Sequence, residues 1–252
     1  MRALKRLTWI EIKLFAREPM AMIFTFAFPF FVLFVLASVF GNEIELDDPE
    51  EVEVWRGVGP TDYYVPAYMG LVMAAIGLIT LPMRLTSYRE QGVLRRFRAA
   101  AVPLPAVLGS QLAVSLGMML IGAVGIGVAS TIVYGTQGPD DWLLTGAGFA
   151  LSAVMFAAVG IFLGSALRSA RAAQGAGLVL FFVMMFISGA GPPRGALNDS
   201  MQTLSSFLPL THAILLLQGA WLGPGWDWSA FFLVTGFMAG AYMLTWRLFR
   251  WS

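Results

Sequence analysis

Five apolar runs, 20–40, 65–83, 107–134, 143–167 and 228–246, recur along the chain at the length of about 20 residues that a bilayer-crossing helix needs. A sixth, 172–187, reaches that length when extended through "SGAG" to 191. None of the six cores holds Asp, Glu, Lys, Arg or His. Residues 204–223, "LSSFLPLTHAILLLQGAWLG", are also apolar, but Pro209, His212 and Gln218 interrupt them. The first run follows a charged leader of 19 residues and exceeds the apolar region of a cleavable signal, so it is expected to stay as a span.

Charge decides between six spans and seven. Cytoplasmic loops collect Lys and Arg. With six spans and the N-terminus inside, 14 of the 16 basic residues fall inside, and only Arg56 and Arg194 lie outside. A seventh span would move Arg247 and Arg250 outside and leave "PGWDW" as an inner loop without a basic residue. The pattern therefore predicts both termini cytoplasmic and 192–227 as an outer segment containing a re-entrant or interfacial hairpin. Irregular backbone at that depth survives where protein or a cavity covers it. Twelve of the 15 acidic residues fall outside, eight of them in the first outer loop, 41–64. That loop is either a solvated reinforcement of topology or a gate that attracts cationic cargo.

Composition agrees. The chain has 252 residues, 58% hydrophobic and 12% charged, against about 25% charged in soluble domains. This places it among multi-pass membrane proteins, with one all-α transmembrane domain over 1–252; the plasma or inner membrane is its expected location. Zero cysteines exclude disulfides, a thiol nucleophile and a cysteine metal site, and one histidine, His212, excludes a histidine cluster. No catalytic residue, metal ligand or nucleic-acid partner is expected.

The leader "MRALKRLTWIEIKLFAREP" gathers Leu4, Leu7, Ile10, Leu14 and Phe15 on one helical face and Arg2, Lys5, Arg6, Lys13 and Arg17 opposite. That pattern predicts an interfacial amphipathic helix over 1–19, its basic side toward lipid headgroups, ended by Pro19. Glu11 and Glu18 fall on the apolar side. A carboxylate facing acyl chains is costly, so these two either snorkel to the headgroup edge or meet a protein partner.

"YREQGVLRRFRAAAVP", 88–103, places five charges within eleven residues between two spans. Ser87 with Glu90 reads as a capping box, and Pro103 and Pro105 as the entrance to the third span. The spacing predicts a helix over 87–101 carrying Arg89, Arg95, Arg96 and Arg98, with Leu94 and Phe97 able to pack on a soluble partner. No G-x-x-x-x-G-K-[ST] pattern occurs in the chain, so any ATP that drives it is hydrolysed on a separate polypeptide. Gly160-x-x-x-Gly164 and Gly236-x-x-x-Gly240 are candidate close-packing sites between helices.

"YREQGVLRRFR" resembles the E-x-G-x-L-x-R-x-R signature of ABC-2 type exporter permeases. The "REP" leader, the six spans and a late "ISGAGPPRGALNDSMQTLSSFLPLTHAILL" are similar to that family in order and spacing over nearly the whole chain. Here "AAAV" delays the family's proline to Pro103. The resemblance implies an exporter of amphipathic cargo, a drug or antibiotic, lipid or glycolipid. It implies two cytoplasmic ATPase subunits holding ATP and Mg, and a second permease copy or paralogue. No cofactor is implied on this chain. It assigns Arg89, Glu90, Gly92, Leu94, Arg95, Arg96, Phe97 and Arg98 to coupling with the ATPase. It sets the leader beside 87–101, where Glu11 or Glu18 is expected to pair with Arg95, Arg96 or Arg98. It puts spans two and five along the path between permeases, with Met69, Met73, Phe181, Met184 and Met185 as the lining; packing against lipid or neighbouring helices is the other reading of the Phe- and Met-rich fifth span.

Three other functions share part of this pattern. An exporter of lipid-linked polysaccharide shares the six-span plan. An ion-coupled transporter usually needs ionisable groups inside the membrane, although carbonyl-built sodium sites need none. A lipid-modifying enzyme wants paired carboxylates, a histidine or a metal, and the inner acids Glu11, Glu18 and Glu90 are isolated in sequence.

Overall fold

The computed structural model describes residues 9, 13, 17–43, 47–99 and 104–248. All regular structure among them is helical. Six helices are long and apolar enough to cross a membrane: 19–40, 60–90, Leu104–Tyr134, Trp142–Ala166, Ala170–Ile187 and Trp228–Leu248. The first and second spans each contain a π-helical turn, Ile23–Ala27 and Ile76–Thr80. Of the leader only residues 9, 13 and 17–19 are described, so the amphipathic helix expected there lies largely outside the described residues. Lys13 rests over the Trp9 ring at 5.3 Å, as i,i+4 neighbours on a helix do.

The second span is the axis of the bundle. Its most apolar window is 100% buried, whereas that of the sixth span is 17% buried. The other spans are wrapped around it and leave their outer faces to lipid. Glycine makes the approach close. A Cβ on Gly160 would lie 2.5 Å from the carbonyl oxygen of Gly77, and one on Gly164 would lie 2.9 Å from Leu85 Cβ. Gly77 in turn faces Phe156 O, and Gly177 faces Leu78 O. Spans four and five thus meet span two backbone to backbone, the close packing that small residues permit in lipid. The second glycine pair behaves differently. A Cβ added at Gly236 or Gly240 would meet nothing within 4 Å; the two border an apolar lateral groove instead. Gly160→Leu is therefore expected to cost upward of about 1–3 kcal/mol by overpacking, and Gly236→Leu to be tolerated. Thermal midpoints and size-exclusion profiles of the two purified variants check this.

Two sequence expectations are corrected at the end of the second span. Ser87 does not cap a helix. The span continues to Glu90, with Ser87 Oγ accepting from Gln91 Nε2 at 2.9 Å. The chain turns at Gly92, whose φ of +67° suits a residue without Cβ. A separate helix, Val93–Ala99, follows. The predicted helix over 87–101 is thus the tail of a span plus a short helix after a glycine turn.

One end of the bundle gathers acidic residues and the other basic ones. At the acidic end, Asp62 accepts from Asn42 Nδ2 at 2.9 Å and from Gln137 N at 3.0 Å. The short helix Pro49–Trp55 lays its Trp55 ring against Phe40, Tyr63 and Tyr64. Asp227 caps the sixth span, accepting from Ser229 Oγ at 2.7 Å and Ala230 N at 2.9 Å. Partial burial pushes its pKa up, but these hydrogen bonds and Arg56 outweigh burial and hold it below the ordinary value.

Between spans five and six, Asp199–Ser205 and Pro209–Trp221 meet at 91°. Both sides of the pair are tied to the acidic end. Arg194 N donates to Tyr63 Oη at 3.3 Å before it, and Asp140 N donates to Trp221 O at 3.1 Å after it. The pair therefore enters and leaves at one end. His212 sits at the bend, its Nε2 2.7 Å from Ser206 O and its ring stacked on Phe237.

Candidate functional site

The basic end carries the residues expected to couple this chain to a partner, and the structure divides them into two groups. Arg89, at the last turn of the second span, is half-buried against the bundle, and Glu90 beside it is exposed but bonds back to the bundle. Arg89 Nη1 donates to the carbonyls of Gly164 and Ser165 at 3.0 Å and of Leu167 at 3.4 Å. These are among the carbonyls left without helical partners where the fourth span ends. Glu90 Oε2 accepts from Ala170 N at 3.1 Å, at the first turn of the fifth span. Each charge meets the helix end of opposite partial charge. Two adjacent residues thus clasp the three-residue turn, Leu167, Arg168 and Ser169, between spans four and five. Ser169 Oγ completes the turn by accepting from Ala172 N at 3.1 Å.

The second group is Val93–Ala99, set off from the clasp by Gly92. Arg95 and Arg96 are exposed. The side chains of Leu94, Phe97 and Arg98 lie outside the described residues, as does Glu11. Val93–Ala99 is thus joined by one turn to the span whose last residues hold the turn between spans four and five.

Glu18 has a partner in the second span, while Arg98, one of the partners expected from the sequence, has its side chain outside the described residues. Glu18 Oε2 lies 3.3 Å from Arg84 Nε, not against Arg95 or Arg96. Arg84 is in the second span, 6% exposed, whereas Glu18 is 33% exposed. The physical reason is reach. Glu18 immediately precedes the first span, whose helix begins at Pro19 with Met22 N bonded to Glu18 O, so its carboxylate lies level with the wall of span two and not with the helix beyond Gly92. In the sequence Arg84 reads as one more inner-side charge, which conceals its role. Its position directly against the end of an apolar run is the signal that could have found it: a cation there needs a counter-charge.

The five residues expected to line a path lie in the interior of the single chain. Met73 and Phe181 are 0% exposed, and Met69, Met184 and Met185 are 6% exposed. Phe181 is edge-on to Phe24, Phe28 and Phe182, gluing the fifth span to the first. Met69 and Met73 are enclosed because the second span is surrounded by its own chain, and Phe181, Met184 and Met185 because they lie on the inner face of the otherwise largely open fifth span. Of the five, Met69 reaches a surface recess.

This arrangement has counterparts. The model of the ABC-2 type transporter family matches residues 2–222. The chain is also similar to a Bacillus subtilis (strain 168) protein named "Putative transport permease YvfS", 23% identical over 188 residues, 72% of this chain and 71% of that one. With six apolar helices, a bent pair before the last and a basic helix after the second, the chain belongs to the ABC-2 type transporter family.

Proposed function

We propose that this chain is the membrane subunit of an ATP-driven exporter of amphipathic molecules. The observation that carries the proposal is the clasp: the exposed helix Val93–Ala99 leads through Gly92 into Arg89 and Glu90, which hold the turn between spans four and five. On this reading the basic end is cytoplasmic, as the bias of Lys and Arg predicts. Two ATPase subunits press on Val93–Ala99 from below. A second permease copy or paralogue completes the transporter. ATP and Mg belong to the ATPases, and the chain itself needs no cofactor. The name of the Bacillus subtilis relative, a transport permease, agrees with this reading. Export of a lipid-linked polysaccharide is a narrower version of the same function.

The test is reconstitution. Permease and ATPase subunits expressed together are expected to copurify, and in proteoliposomes cargo movement is expected to require ATP. Transport by the permease alone down an ion gradient would overturn the proposal.

A further inference from the structure

Two recesses of similar size and opposite character meet at the acidic end. One, of about 440 Å³, is polar and bordered by Asn42, Asp62, Gln137 and Asp140. The other, of about 430 Å³, is apolar and runs down the side of spans three and four, bordered by Met69, Leu120, Val124 and Phe149. Each volume is in the range of ligand pockets, about 300–1,000 Å³. Trp221 and Gly138 border both recesses, so the two are halves of one hollow divided by the indole.

The wall of the apolar half is unfinished in hydrogen bonding. Among the described residues, Trp221 Nε1 and Thr145 Oγ1 have no hydrogen-bond partner, although each residue is only 8% exposed. Buried donors are paired in almost all proteins, and an orphan asks for a missing partner. Both atoms are covered by the protein itself, so these donors stand behind the wall and are not presented to the groove. The groove opens sideways to lipid: Leu120, Val124 and Val128 are more than half exposed, and Trp142 stands at its rim.

The polar half favours positive charge. Asp62 accepts one hydrogen bond on each oxygen, leaving further lone pairs, and Asp140 is exposed at the rim. Among the described residues bordering this half there is no Lys or Arg. Arg56, in the adjoining loop, donates instead to Gln218 Oε1 at 3.0 Å.

We infer that this divided hollow binds an amphipathic cation, with its head among Asp62, Asp140 and Asn42 and its apolar body along spans three and four. As a station on an export path the site rests on the function proposed above; as a binding site it does not.

The test therefore uses the permease without ATPase, in phosphatidylcholine nanodiscs, with empty nanodiscs as baseline. Calorimetric titration with dodecyltrimethylammonium is expected to show saturable binding. Tetramethylammonium, the head alone, and dodecyl sulfate, the same tail with an anionic head, are expected to show none. Gly146 borders the groove and a Cβ there meets nothing within 4 Å, so Gly146→Leu fills the groove without disturbing the fold. Asp140→Asn removes one charge at the rim. Each is expected to weaken binding about ten-fold or more, the scale of losing one charge-assisted contact or an apolar seat. Dodecyl sulfate binding as well as the cation, or binding indifferent to both substitutions, would overturn the inference. Retention of a bilayer phospholipid in the groove regardless of added cation would overturn it too. ATP-dependent export that persists in either event would leave the proposed function standing.

Discussion

Arg89→Ala is expected to abolish most ATP-driven transport while leaving the permease folded and bound to its ATPase. The guanidinium ties the end of the second span to the end of the fourth through three carbonyls. Hydrogen bonds to a charged group contribute about 1.5–3 kcal/mol each, and three on one nitrogen share that energy and do not add. A loss of about 2–3 kcal/mol from the linkage corresponds to roughly 30–150-fold in a coupling equilibrium. Arg89→Lys is expected to recover part of the loss, since all three bonds leave one nitrogen and an ammonium also carries three donors. Glu90→Gln, which keeps an acceptor for Ala170 N, is expected to be milder. Parallel measurement of ATP hydrolysis and cargo movement in proteoliposomes checks this. Hydrolysis that continues without transport is the expected signature, and equal loss of both with the complex dissociated would assign Arg89 to docking instead.

The second large effect is expected from Arg84 and Glu18. Removing the partner of a buried charge costs about 3–5 kcal/mol, but Glu18 is a third exposed, so water recovers part of that. A double-mutant cycle over Glu18→Ala and Arg84→Ala, read as unfolding free energy in detergent, is expected to give a coupling of about 1–3 kcal/mol, within the range for residues in contact. Arg84→Ala costs more than Glu18→Ala does, because it also removes a long stem packed at the core of the bundle. A coupling near zero would mean that the first span is held to the second by packing alone. The same cycle run with Arg96 in place of Arg84 is expected to give no coupling.

Why some of this was legible in the sequence, and some was not, follows from what each feature depends on. Spans are local: a helix that satisfies its own backbone in lipid needs only an apolar run, so six of them could be read directly. The bent pair was visible through Pro209, His212 and Gln218, which do not suit a plain span. Its bond from His212 to Ser206 O is also nearly local. Tertiary features were less visible. Gly160-x-x-x-Gly164 and Gly236-x-x-x-Gly240 are the same pattern, yet the first meets the second span and the second borders a groove, because only the fold decides which face is turned inward. Ser87-x-x-Glu90 has the spelling of a capping box, but a span already in progress runs through it. The partners of Arg89 lie 75 to 78 residues away and are backbone carbonyls, which carry no residue-type signal at all.

The contact on which transport depends is the one proposed between Val93–Ala99 and the ATPase. The chain has no cysteine, so single cysteines can be placed freely. Arg96→Cys, carrying a benzophenone maleimide, is illuminated in membranes that contain both subunits. A covalent adduct between permease and ATPase is expected from position 96, and none from Gln137→Cys at the opposite end of the bundle. An adduct from position 137, or none from 96 while the complex still copurifies, would contradict the proposed contact.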